Sequence, residues 1–192
     1  MIARALLIFI LLCGCQPSPS QQSSSQQSPS QSSLSHSLTD LGVPLDSIHL
    51  RISKANYELH VLYGDSLINS YPVVFGGNPI DDKHMQGDQC TPEGSFRIRD
   101  LYPHAQWSYF LWIDYPTEAS WHNHRQAKAL GLIPADANIG GEIGIHGVPE
   151  GFDHVIDQRQ NWTLGCISLK NADVKEIYEI VGVGTRIEIT SD

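Results

Sequence analysis

Positive charge is scarce in this chain, and its absence removes the first class of partner. Lysine and arginine total 12 against 21 acidic residues among 192, a formal net charge of −9, and no basic run occurs anywhere. Nucleic-acid surfaces need clustered cations to displace counterions from phosphates, so DNA and RNA are not expected partners. Long hydrophobic runs are missing too. The apolar stretch from Ala5 to Leu12 is too short for a permanent membrane-spanning helix. No period of 20–50 residues recurs, which argues against a repeat architecture. With four cysteines in the whole chain, a disulfide scaffold is not expected. Metal-ligand spacing is also poor. His122 and His124 lie two apart, which on a helix points them to different faces, so no metal is expected.

The N-terminus has a different character from the remainder. Arg4 precedes the Ala5–Leu12 run, which has the length of a secretory h-region, and Leu12-Cys13-Gly14-Cys15 resembles a lipobox. Residues 1–14 are therefore expected to be a signal peptide, with Cys15 the lipidated residue that anchors the chain to a membrane; the competing reading is an ordinary cleaved signal. The following tract, "QPSPSQQSSSQQSPSQSSLSHS", holds no Asp, Glu, Lys, Arg or large aromatic residue. It cannot bury enough apolar surface to offset its ordering entropy. A flexible tether is expected over residues 15–47 and one folded domain over 48–190, because periodic apolar residues begin near Ile48.

Within that domain, "SIHLRIS" and "YELHVLY" alternate apolar and polar residues around a short turn, as a β-hairpin does. "SLINSYPVVFGG" reads as a third strand, and "SFRIRDL", "YFLWIDY", "GEIGIHG" and "GTRIEIT" as further ones. Helices are expected over 118–132 and from Asn171 onward. In the second, Val174, Ile177, Tyr178 and Val181 share a face and Asn171 serves as the cap. The fold class is mostly β with two or more helices.

Two segments carry chemistry. In "NWTLGCISLKN", Gly165 permits a tight turn that exposes the Cys166 thiol and the backbone N–H groups of Gly165 and Cys166, a possible oxyanion hole. In "IGIHGVPEG", His146 ends a strand and is the best placed of nine histidines to activate a thiol. Taken by themselves, the two read either as nucleophile and base or as a buried thiol and a core histidine. A Cys90–Cys166 disulfide is a third possibility.

The ordered set "GDQCTPEGSFRI", "IGIHG" and "WTLGCISLKNADVKEIY" resembles the L,D-transpeptidase catalytic domain, also called the YkuD domain, across the whole folded part. The resemblance implies a β-sandwich of that type, with Cys166 as nucleophile, His146 as general base and Thr163 in the family's Ser/Thr position. It also implies that the Gly147 carbonyl orients the imidazole and that Thr91 to Gly94 anchor a loop. Two positions depart from the pattern: Leu164 replaces a usual histidine, and Ser168 replaces an arginine, removing a charge suited to a substrate carboxylate.

Other candidates are weaker. Asp81, Asp82 and Asp88 read as solvated loop acids before they read as a cation site. Trp107, Trp112, Trp121 and Trp162 suit sugar stacking, though at least half read as core. The resemblance implies acyl transfer on peptidoglycan stem peptides in the cell envelope, with no cofactor; Gln16 after the lipobox cysteine, not a retention-type aspartate, makes the outer membrane the expected location in a diderm bacterium. Two alternatives stand beside it. One is a hydrolase of the same fold, either an L,D-carboxypeptidase or an enzyme releasing wall-linked protein; the other is a wall-binding lipoprotein without activity.

Overall fold

The hairpin expected near the start of the domain forms from apolar alternation. In β1 (Ile48–Ser53) and β2 (Glu58–Tyr63), Leu50 pairs with Val61 and Ile52 with Leu59. All four side chains are fully buried, which fixes the register, since a one-residue slip would turn each of them to water. The computed structural model describes residues 34–192; the signal peptide, Cys15 and most of the tether lie outside the described residues.

Six further strands complete one curled sheet: β3 (Ser66–Pro72), β4 (Gly94–His104), β5 (Ser108–Ile113), β6 (Gly144–His146), β7 (Ile167–Ser168) and β8 (Arg186–Thr190), in the order β3-β2-β1-β8-β4-β5-β6-β7. Strand β4 serves both halves. Its first residues, Gly94 to Arg97, pair with β8, and after a bulge between Ile98 and Asp100 the remainder pairs with β5. The bulge lets one long strand turn from one half of the sheet into the other. At the far edge, β6 runs antiparallel to β5 and parallel to β7.

Helices α1 (Leu34–Asp40), α2 (Glu118–Ala129), α3 (His154–Asp157) and α4 (Asn171–Ile180) surround the sheet. Helix α4 covers β5 and β6 with Val174, Ile177 and Ile180, and Tyr178 and Val181 pack at the margin of the same core. Helix α2 starts with a capping box between Thr117 and Ser120 and stops at Ala129, three residues short of the expected end.

Three expectations need correction. The tether does not extend to residue 47: α1 docks on α4 and buries Leu38 in the core. Leu34, Leu38 and Leu41 do fall at helical spacing, but the serine-rich context around them masks the signal. The regular part of the third strand ends at Pro72; residues 73–77 continue as isolated bridges, Val74 to Ser168 and Gly76 to Thr163. Finally, Asn171 does not cap α4 with its side chain. Lys170 holds the N-cap position without a side-chain cap, while the Asn171 backbone N–H donates to Asp153 Oδ1 at 3.1 Å.

Because Leu38 is 1% exposed, Leu38→Ala should lower stability by about 2–4 kcal/mol in urea unfolding. A change below about 0.5 kcal/mol would show that α1 belongs to the tether after all.

Candidate active site

Strands β6 and β7 bring the two motif segments side by side. Their parallel register sets His146 opposite Ser168, which leaves Cys166 just before the paired segment, at the mouth of a cleft of about 840 Å3. His146, Cys166, Thr163, Leu164, Trp107 and Trp162 all line this cleft.

The turn carrying the thiol is held by Thr163. Its Oγ1 donates to the Cys166 carbonyl at 2.7 Å and accepts the Gly165 N–H at 3.1 Å. The Gly165 N–H, expected to face an oxyanion, is thus engaged within the turn in this conformation. Gly165 sits at φ +134, and a Cβ there would lie 2.6 Å from the Cys90 carbonyl oxygen, so no other residue fits without displacing backbone. The Thr163 backbone is clamped from the other side by Phe75 and Gly77, which is why the strand continuation at 73–77 matters for the site.

His146 is 2% exposed. Its Nδ1 lies 2.7 Å from the Gly147 carbonyl oxygen; a carbonyl can only accept, so Nδ1 carries the proton and Nε2 presents its lone pair. Three aromatic rings enclose the imidazole. Trp107 stacks at 4.6 Å and Phe110 at 5.5 Å between ring centroids, and Trp162 meets it edge-on at 5.6 Å. The buried Trp162 indole N–H has no hydrogen-bond partner among the described residues. Burial pushes His146 down to about 4, against the Gly147 hydrogen bond, with a further lowering from His104. The imidazole is therefore neutral at pH 7 and able to accept a proton.

The thiol is also neutral. Burial raises Cys166 to about 11; the Gly144 N–H and the Lys83 charge pull it down, and Glu142 raises it. Its Sγ donates to the Glu142 carbonyl at 3.4 Å, and Glu142 has a positive φ of 58, a backbone state uncommon outside glycine. Cys90 and Cys166 are both free. Cys90 is buried, and its Sγ donates to the Asp88 carbonyl at 3.4 Å.

Gly147 makes the support of His146 possible. Its N–H donates to the Trp107 carbonyl at 3.0 Å, and a Cβ would collide with Trp107 and Asn171. Asn171 Oδ1 instead accepts the Val148 N–H at 3.1 Å, which explains why it is not free to cap its helix. Ser168 is fully buried, and its Oγ donates to the Gly147 carbonyl at 3.3 Å. The serine side chain, uncharged as expected, is thus engaged by the same carbonyl that holds His146.

Of the loop acids, Asp81 is exposed as expected and accepts from Asn78 Nδ2, whereas Asp82 and Asp88 are structural. Asp88 pairs with buried Lys83 at 2.7 Å and accepts the N–H groups of His84, Met85 and Cys90. Asp82 accepts from Lys83 and Glu93 N–H groups. Buried Lys54 holds the loop's other side through Glu93 and the Ile80 and Asp81 carbonyls. Thr91 is fully buried beside Gly76, ahead of β4. His124 Nδ1 meets the His84 carbonyl at 2.6 Å while His122 is exposed, and no metal-binding group of three or more residues occurs among the described residues. Of the tryptophans, Trp112 bonds Tyr102 and lies under Arg99, and Trp121 is exposed. Sequence reasoning missed Lys83 and Phe110, which follow from tertiary contact and have no local pattern; Trp107 and Trp162, two of the rings named for stacking, both pack on His146, as Phe110 does.

A half-buried cysteine and an oriented neutral histidine thus lie together in one cleft of a curled β-sheet. The family model described as the L,D-transpeptidase catalytic domain, YkuD, matches residues 47–189. The chain belongs to this family. Among solved structures it is similar to the helical cell shape determining protein Pgp2 from Campylobacter jejuni, at 17% identity and TM-score 0.57, covering 83% of this chain and 55% of that one. It is also similar to Bd1075 of Bdellovibrio bacteriovorus, at 17% identity and TM-score 0.55, covering 76% and 48%. The chain thus spans about half the length of these two structures. No curated protein matches the sequence.

The histidine gives a pH test. Its folded pKa of about 4 lies below the ordinary 6.5, so the unfolded chain binds more protons between these values. The associated stability is intact above pH 6.5 and is lost as pH falls toward 4, by up to about 3 kcal/mol. Between pH 7 and 4.5, urea unfolding should show wild type losing about 2 kcal/mol more than His146→Gln. Equal losses would place the imidazole in water.

Proposed function

We propose that the chain is a cell-wall L,D-transpeptidase that forms a thioester on Cys166 with peptidoglycan stem peptides. The observation that supports this most is the pairing of an Nδ1-protonated His146 with Cys166 in one cleft. His146 Nε2 takes the thiol proton as sulfur attacks the carbonyl of the diamino acid before a terminal D-alanine. The C–S bond forms and the amide C–N bond breaks. The imidazolium returns its proton to the departing D-alanine amine, and the Cys166 N–H supports the oxyanion. An amine of a second stem then displaces the thiolate. Neutral groups on both sides make the reactive ion pair a minor species that forms only with substrate in place. We assign no cofactor to this sequence of steps.

Incubation with purified muropeptides and mass analysis tests the reading. Cross-linked dimers are expected; trimmed monomers would make the chain a hydrolase, and unchanged substrate with wall binding that survives Cys166→Ala would make it a binding protein. His146→Ala should slow Cys166 acylation by a carbapenem by about a hundredfold or more, with a rate that rises with pH as thiolate appears. Cys166→Ala should form no adduct. Full-rate acylation of His146→Ala, or an adduct on another residue, would refute the assignment.

The anchor is part of the proposal. Lipidation of Cys15 would place the enzyme in the cell envelope, on the outer membrane facing the periplasm in a diderm, since Gln16 is not a retention-type aspartate. Fractionation should find wild type with membranes and Cys15→Ser unacylated and released. Soluble, unacylated wild type would rule out the anchor.

A further inference from the structure

With Ser168 buried behind the base, the charge the family's arginine would bring is missing, yet the cleft is not without a cation. Lys83 is the one basic side chain other than histidine among the described residues lining it. It is 5% exposed, and its Nζ is fixed by Asp88 Oδ1 at 2.7 Å and the Met85 carbonyl at 3.1 Å. An ammonium has three donors, so one N–H remains. The Asp88 carboxylate does not line the cleft. Burial disfavours its charge, but Lys83 and three backbone N–H groups outweigh this and hold its carboxyl below the usual range. Lys83 thus lines the cavity that holds Cys166, as does Glu142; acting on Cys166, Lys83 favours the thiolate and Glu142 opposes it.

We propose that Lys83 is the carboxylate-recognition residue of this cleft, binding the free C-terminal carboxylate of the residue whose amide Cys166 attacks. This deepens the acyl-transfer reading and rests on it for the identity of the ligand. The cleft's positive charge comes from a loop distant in sequence from Cys166, and Asp88 and the Met85 carbonyl hold Lys83 Nζ in place, so the site is ordered before substrate arrives. A carboxylate entering this cleft without Lys83 would lose its hydration with no compensating positive charge.

Two measurements test this separately from the reaction. First, Cys166 is alkylated with anionic iodoacetate and with neutral iodoacetamide, the adduct being located by mass. The acetate-to-acetamide rate ratio should exceed that of a free cysteine peptide by about fivefold or more, and should fall to the peptide's value in Lys83→Met. Lys83→Arg should keep most of the preference. If Lys83→Met does not fold, the wild-type ratio still decides the matter, because it should drop as salt rises to about 1 M. A wild-type ratio equal to the peptide's, or one unmoved by Lys83→Met, overturns the proposal.

Second, a stem tetrapeptide is compared with its C-terminal carboxamide. Wild type should prefer the free carboxylate by about tenfold or more, expressed mainly in KM, and Lys83→Met should lose that preference. Equal turnover of both donors by wild type overturns the Lys83 assignment. No turnover of either donor, with the alkylation preference intact, overturns the acyl-transfer reading while leaving the cation of the cleft in place.

Discussion

The Gly147 carbonyl is the point on which the site depends. It accepts from His146 Nδ1 and from Ser168 Oγ, and its own residue is pinned between Trp107 and Asn171. A histidine enclosed by three rings has lost most of its hydration, so its tautomer and orientation rest on this one acceptor. Everything packed around it serves that geometry. Asn171 Oδ1 holds the Val148 N–H, and Asp153 accepts the backbone N–H of Asn171 itself at the start of the helix.

Much of this was legible in the sequence, for identifiable reasons. The strands β1, β2 and β8 alternate cleanly because each has one face in the core and one in water. The motif cysteine, histidine and threonine were legible because their chemistry requires those residue types beside glycines. What was not legible depends on partners distant in the chain. Leu38 looks like part of a serine-rich tract until α4 is there to cover it. Asp88 looks like a solvated acid until Lys83 folds back on it. Ser168 reads as a lost charge by position, while only the parallel pairing of β6 with β7 shows that its side chain faces the base's support.

The loop from Asn78 to Glu93 illustrates a different solution to order without secondary structure. Two buried lysines, Lys54 and Lys83, act as its cores, each surrounded by carbonyl and carboxylate oxygens. Buried ammonium groups are costly unless fully partnered, so such a loop has few alternative conformations of similar energy. That rigidity carries over to the nucleophile turn, because the Cys90 carbonyl leaves no room beside Gly165 for anything but hydrogen.

The position of β8 has a consequence for how the molecule comes into being. It lies between β1 and β4, paired parallel to the first and antiparallel to the second, so the middle of the sheet is made from the earliest and latest strands of the domain. Contacts so far apart in sequence form slowly. Until residues 186–190 have been synthesised, β1 and β4 have no strand to join them, and the edge that carries His146 and Cys166 has no completed sheet beneath it. The two halves of the sheet are thus joined only once β8 is in place, whereas β6 and β7, which carry His146 and lead on from Cys166, pair with each other without it.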